Sequence, residues 1–231
     1  MQVEIWSDVV CPWCYVGKRR FEQALDKFEH AATVTVTYRS FELDPNAPTE
    51  RTGGYAERLA AKYGMSVERA VALNAQMTET AAAEGLTFDF DKARPGNTFD
   101  AHRLLHFAAQ QGKQLELKER LLLATFTEGA PVGDRETLVC LATDIGLGAD
   151  EVRGVLNSDA YAEAVRADEQ QAVAYGITGV PFFVIDAKYG VSGAQPADVL
   201  LQVMQKAHDD NEPLTIVTGE SASCDDDSCA I

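Results

Sequence analysis

Positive charge is scarce in this sequence. Its 231 residues hold 20 Lys and Arg against 36 Asp and Glu, a formal net charge of −16. Nucleic-acid affinity rests on cationic side chains neutralising phosphates, so a polynucleotide partner is not expected. Long hydrophobic runs are missing as well. No stretch approaches the roughly 18 apolar residues that a membrane span needs, so no membrane partner is expected either. The chain opens MQVEIW, strand-like from the start, with neither the basic nor the apolar region of a signal peptide. The expectation is a cytoplasmic protein.

Cysteine is sparse too. Five is an odd count and too few for a secreted disulfide scaffold. The four histidines all lie far in sequence from the first cysteine pair, and a structural zinc site wants four ligands. No metal is assigned. What remains is an ordinary globular composition, 46% hydrophobic and 24% charged, on a chain long enough to bury a sizeable core.

The pattern of elements is uneven. Residues 3 to 6 are short, apolar and β-prone. "YVGKRRFEQALDKFEH" has helical spacing, and residues 33 to 43 alternate like a strand. From about 51 to 175 almost no alternating runs are found; helical patterns cover 66 to 84, 97 to 112, 115 to 129, 134 to 146, 150 to 157 and 158 to 175, with loops at 44 to 54 and 86 to 97. Strands return at 182 to 185 and 189 to 192, followed by a helix from 196 to about 208. The fold class is therefore α/β: β-α-β, a large all-helical insertion, then β-β-α. The expected division is 1–45 plus 176–212 as one layered domain, 46–175 as the insertion, and 213–231 as a flexible acidic tail.

The chemistry concentrates in "CPWC", residues 11 to 14, at a strand-to-helix junction. Pro12 suits the first helical position, where its missing N–H costs nothing. Cys11 then falls at the N-cap and Cys14 one turn along on the same face. Unpaired N–H groups and the positive end of the helix dipole favour a thiolate there, so a depressed pKa is expected for Cys11. Cys11 would attack a substrate sulfur and Cys14 would resolve the mixed disulfide. A purely structural disulfide across so short a loop would gain little. A second marker is Val180-Pro181 in "TGVPFF". Proline belongs at a strand start, and the residues alone leave cis and trans open. Cys140, within an apolar helical run, is expected to be a small core residue. Met77 and the Leu121 to Leu123 run are expected in the core too.

Together, CPWC after a first strand, a long helical insertion and Val-Pro before a strand resemble the DsbA-like form of the thioredoxin superfamily over about residues 1 to 210. "SDVVCPWCYVGKRRFE", "NTFDAHRLLHFA" and "TGVPFFVIDAKYGVSGAQ" further resemble its FrnE-type branch, shared with 2-hydroxychromene-2-carboxylate isomerases and kappa-class glutathione transferases. The resemblance implies a thioredoxin fold and a cis Pro181, with the Val180 backbone facing Cys11 and pairing with bound peptide. It implies that Cys11 is the nucleophile and Cys14 the resolver of a disulfide oxidoreductase with isomerase ability. Pro12 and Trp13 would face substrate. Asn97, His102 and Arg103 fall in the helical motif and are groove or structural residues. With no ionisable residue between the cysteines, a reduction potential between about −270 and −120 mV is implied.

Partners would be protein thiols and disulfides, with glutathione or a thioredoxin-type donor as electron source, and no bound cofactor. The chain would act as monomer or dimer. A glutathione-dependent isomerase or transferase is the alternative, but those members generally carry Ser or a lone Cys at the position of Cys11. A non-catalytic binder, chaperone-like or responsive to redox state or metal, is the alternative of another class.

The tail carries a second pair, Cys224 and Cys229, around three aspartates. Those carboxylates disfavour a nearby thiolate. Three readings stay open: an auxiliary redox pair tethered to the first, a metal-ligating pair, or an inert terminus.

Overall fold

The computed structural model describes residues 1–49 and 53–210. Strand β1 (Gln2–Ser7) leads into helix α1 (Pro12–Lys27), and a short 3₁₀ turn precedes β2 (Thr35–Ser40). Helices α2 (Tyr55–Tyr63), α3 (Val67–Ala83), α4 (Phe99–Gln110), α5 (Gln114–Leu123), α6 (Arg135–Asp144), α7 (Ala149–Leu156) and α8 (Ala162–Ala174) follow. Strands β3 (Phe182–Ile185) and β4 (Tyr189–Ser192) and helix α9 (Ala197–Asp209) close the described chain.

The sheet order is β2-β1-β3-β4. β1 runs parallel to β2 and antiparallel to β3, and β3 runs antiparallel to β4. Alternation along β1 and β3 sends side chains to opposite faces. Val3, Ile5, Phe183 and Ile185 pack against Phe21, Ala24 and Phe28 of α1 and Leu200 and Met204 of α9. Trp6 and Val184 pack on the other side, with Ala172 of α8 and Ile177. The Trp6 indole N–H donates to the Asp168 carbonyl at 2.9 Å, which removes the cost of burying it. Each large side chain so buried contributes about 1.5–3 kcal/mol. A second core lies among α4 to α7, around Leu104, Leu121, Leu138 and Val152, and Val9 from the loop after β1 reaches into it. The layer built on the sheet and the helical insertion thus meet at that loop.

Two expectations need correction. Helix α2 lies in a stretch with no helix assigned from the sequence; its Gly54 N–H is capped by the Glu57 carboxylate at 3.1 Å. Cys140 is exposed, not buried. Leu138, Val139, Leu141 and Ala142 take the inner face of α6, and the helical phase leaves position 140 outside. Met77, Leu121 and Leu122 are buried as expected. Among the described residues no helix is long and apolar enough to cross a membrane.

Candidate active site

Helix α1 starts at Pro12, with Cys11 as an extended N-cap residue at φ −97° and ψ 111°. The Cys14 N–H donates to the Cys11 carbonyl at 3.0 Å, so both sulfurs share one side of the first turn. Cys11 is 5% exposed and Cys14 2%. Across from them the Val180–Pro181 peptide is cis. The Cys11 thiol donates to the Val180 carbonyl at 3.5 Å. Gly17, three residues beyond Cys14, lets the loop sit this close: a Cβ there would lie 2.8 Å from Pro181 Cγ.

Cys11, Trp13 and Val180 form one wall of a cavity of about 590 Å³. Leu59 and Tyr63 of α2, Leu73 and Met77 of α3, and Phe90 form the other. Trp13 is 47% exposed, an apolar plate at the rim. Charge on the cavity wall is balanced, with Arg58 and Lys62 against Asp8 and Asp44.

Three ionisable groups lie buried beneath the pair: Asp8, His102 and Lys118. The Asp8 carboxylate accepts from the Val9 N–H at 2.7 Å and the Leu43 N–H at 2.8 Å, and meets His102 Nε2 at 3.3 Å. Burial alone would raise its pKa. The hydrogen bond and charge of His102, then the Leu43 N–H and the Lys118 ammonium, outweigh burial and hold it below the ordinary 3.8. Lys118, brought in by α5, donates to the Ser7 carbonyl at 3.4 Å, and its ammonium lies 5.3 Å from the centre of the Tyr38 ring. Burial pulls its pKa down to about 8 against the opposing pull of Cys14, Asp8 and Cys11.

The depressed pKa expected for Cys11 is not found. No N–H caps the Cys11 sulfur. Its thiol is pushed up, first by its hydrogen bond to Cys14 and then by burial. Burial opposes ionisation of Cys14 too, but the Cys11 thiol, the Lys118 charge, the Ser7 hydroxyl and the Asp8 N–H together pull it down. The Ser7 hydroxyl is buried without a full hydrogen bond, so its part is small. One negative charge is therefore favoured on the pair, on its inner sulfur.

The remaining expected residues separate. Pro12 lines the cavity; Asn97 and His102 do not. Asn97 ties loops together: its side-chain amide donates to the Pro45 and Ala47 carbonyls and accepts from the Phe99 N–H at the start of α4. His102 meets the cavity-lining Asp8 through Nε2. Arg103 satisfies the carbonyls of Val155, Ser158 and Ala160 at the end of α7. Cys224 and Cys229 lie outside the described residues. Asp8 and Lys118 were not legible as site residues. A lone acid after a strand and a lysine in the α5 pattern carry no motif, and only the tertiary fold brings them beneath Cys14.

Residues 2–205 match the DSBA-like thioredoxin domain, and the chain belongs to that family. A crystal structure of a probable DsbA oxidoreductase from Streptomyces coelicolor is 48% identical, with a TM-score of 0.88 over 100% of this chain and 99% of that one. An uncharacterized protein of Bacillus subtilis, YwbO, is 27% identical over 201 residues, 86% of this chain and 93% of its own length. A 2-hydroxychromene-2-carboxylate isomerase shares the fold at 14% identity and a TM-score of 0.65, over 91% of this chain and 98% of that one.

Proposed function

We propose that this chain is a thiol–disulfide oxidoreductase acting through Cys11 and Cys14, with disulfide isomerase activity and cysteine-bearing polypeptides as substrates. The observation that carries this reading is the placement of Cys11: at a helix N-cap, on the wall of an apolar cavity, with its sulfur opposite the Val180 carbonyl beside cis-Pro181. In that position the backbone groups of the 178–180 loop can pair with an extended segment, while Trp13 and the α2–α3 side chains hold its apolar residues.

The thiol chemistry balances within the pair. The Cys11 proton passes to the Cys14 thiolate, and the freed Cys11 thiolate attacks a substrate disulfide, releasing one substrate thiolate. Cys14 then gives its proton to the released substrate thiolate and attacks Cys11 Sγ, the bond to substrate breaks, and the second substrate sulfur leaves with the electron pair. The dithiol is oxidised by two electrons and the substrate disulfide reduced by two; the reverse sequence oxidises a substrate dithiol. The tail pair Cys224/Cys229 is proposed as an auxiliary partner for Cys11–Cys14, to be caught as a mixed disulfide in Cys14→Ser.

Insulin reduction and refolding of scrambled ribonuclease test the reading. Cys11→Ser is expected to lose both activities and Cys14→Ser to accumulate mixed disulfide. Wild-type turnover retained in Cys11→Ser would overturn it. The cavity volume and the presence of Arg58 and Lys62 on its wall favour one second reading, a glutathione-dependent reaction on a small apolar substrate. Full activity of Cys14→Ser with glutathione would select that reading over dithiol exchange.

A further inference from the structure

The Tyr55 hydroxyl is a hydrogen-bond donor that the scheme above leaves unused. Tyr55 opens α2 and lines the cavity beside Phe90, on the wall that faces Cys11, Trp13 and Val180. Its ring is held on two sides. The Phe90 ring lies tilted against it with centroids 4.7 Å apart, and the Arg58 guanidinium lies 5.7 Å from its centre. Among the described residues its hydroxyl makes no hydrogen bond, although a phenol withdrawn from bulk water normally finds a partner. Nor is that oxygen sealed within protein, so the O–H opens on the cavity. Burial pushes the Tyr55 pKa above the ordinary 10.0, and the next influence is the charge of Cys11, ahead of Arg58 and Tyr63. The phenol therefore stays protonated at neutral pH, a donor in the space that Cys11 shares.

We propose that Tyr55 is a catalytic residue, donating a hydrogen bond to the leaving sulfur when Cys11 attacks a substrate disulfide. The inference rests on the dithiol reading above and adds to it a partner for the departing charge. Attack on a disulfide sets three sulfurs near one line, so the leaving sulfur lies about 4 Å from Cys11 Sγ, two S–S bond lengths away. No hydrogen bond joins Tyr55 to Cys11 itself, and a donor on the facing wall suits that second sulfur. The Cys11 thiolate forms a bond to the near sulfur, the bond between the two substrate sulfurs breaks, and the far sulfur takes the electron pair. Tyr55 keeps its proton throughout and donates a hydrogen bond to the new thiolate, which then takes the Cys14 proton as in the scheme above. Leu59, Leu73, Met77 and Phe90 around it offer that charge no side-chain donor. A hydroxyl already fixed between Phe90 and Arg58 needs little reorganisation when the charge appears.

The test compares initial rates of the reduced full chain with those of Tyr55→Phe, which removes the hydroxyl and keeps a ring against Phe90. The substrates are uncharged disulfides of rising leaving-thiol basicity: bis(nitrophenyl) disulfide, diphenyl disulfide and bis(hydroxyethyl) disulfide. A more basic thiolate accepts a stronger hydrogen bond. The loss in Tyr55→Phe is therefore expected to grow along the series, from about twofold or less for the first to about tenfold or more for the last. A structural disturbance of the site would slow all of them equally. An equal loss across the series, or none with bis(hydroxyethyl) disulfide, would overturn the proposal. Should Tyr55→Phe not fold, the dependence of the wild-type rate on leaving-thiol basicity decides. A slope shallower than that of dithiothreitol with the same disulfides supports the hydrogen bond, and an equal slope refutes it. Failure of wild type to react with any member of the series, or undiminished rates in Cys11→Ser, would remove the dithiol reading itself, a separate outcome.

Discussion

A carboxylate with no exposure is unfavourable unless its charge is met, and Asp8 is met on three sides. Because its folded pKa lies below the ordinary 3.8, the unfolded chain binds more protons in the acid range. The contribution is therefore fully present above about pH 4 and is lost as pH falls through the lowered value. Asp8→Asn turns one oxygen into a donor facing backbone N–H groups. It is expected to cost about 1–3 kcal/mol at pH 7, with the gap to wild type shrinking below pH ~4; urea unfolding at both pH values measures this. Equal stability at pH 7 would sink the account. Gly17 is the other sensitive residue. Gly17→Ala places a methyl against the rigid ring of Pro181, so displacement of the loop and a cost of about 1–3 kcal/mol are expected. Thermal unfolding reads the cost. Reactivity of Cys11 toward an aromatic disulfide reads the displacement, because the Val180 carbonyl moves with the loop.

Helix α1 is fastened to α5 by charge. Tyr15, Lys18 and Arg19 all converge on Glu119, with Lys18 at 2.6 Å and the tyrosine hydroxyl donating at 2.6 Å. Burial would raise the Glu119 carboxyl, but the hydrogen bonds of Arg19, Lys18 and Tyr15 pull it down to about 2. Its contribution is therefore fully present above the ordinary 4.5 and is lost as pH falls from there through about 2. Glu119→Gln is expected to cost about 1.5–3 kcal/mol at neutral pH, more than an exposed pair, because Lys18 is buried. A denaturant titration giving less than about 0.5 kcal/mol would place the network among surface pairs of little consequence.

The legibility of the sequence follows the same division between local and distant causes. α1, β3 and β4 were readable because Pro12 marks a start and Phe182 to Ile185 and Tyr189 to Ser192 flank a tight turn. Helix α2 was not, because Ala60 is its one buried residue and its apolar Leu59 and Tyr63 face the cavity instead of a core. The cysteines were legible as a local motif. Their titration is set first by each other and by burial, and then by Lys118 and Asp8, which no spacing connects to CPWC.

At the scale of the whole molecule, the cavity is locally neutral within a chain of net charge −16. The long-range field therefore decides how charged disulfides approach. At low ionic strength the dicationic disulfide cystamine is expected to react with Cys11 faster than an anionic aromatic disulfide does, after correction for their intrinsic reactivities. The difference should shrink as salt rises toward about 1 M, where the screening length is about 3 Å. Rates independent of salt would show that the cavity wall, not the field, governs encounter. The sheet order has a consequence for biosynthesis. β1 is an inner strand, yet its neighbour β3 is made some 175 residues later, after the whole helical insertion. On the ribosome, CPWC emerges well before the Val180–Pro181 wall. Throughout that interval the two thiols stand without the loop that covers Cys11 in the folded chain, open to whatever oxidant or nascent thiol lies near the exit tunnel.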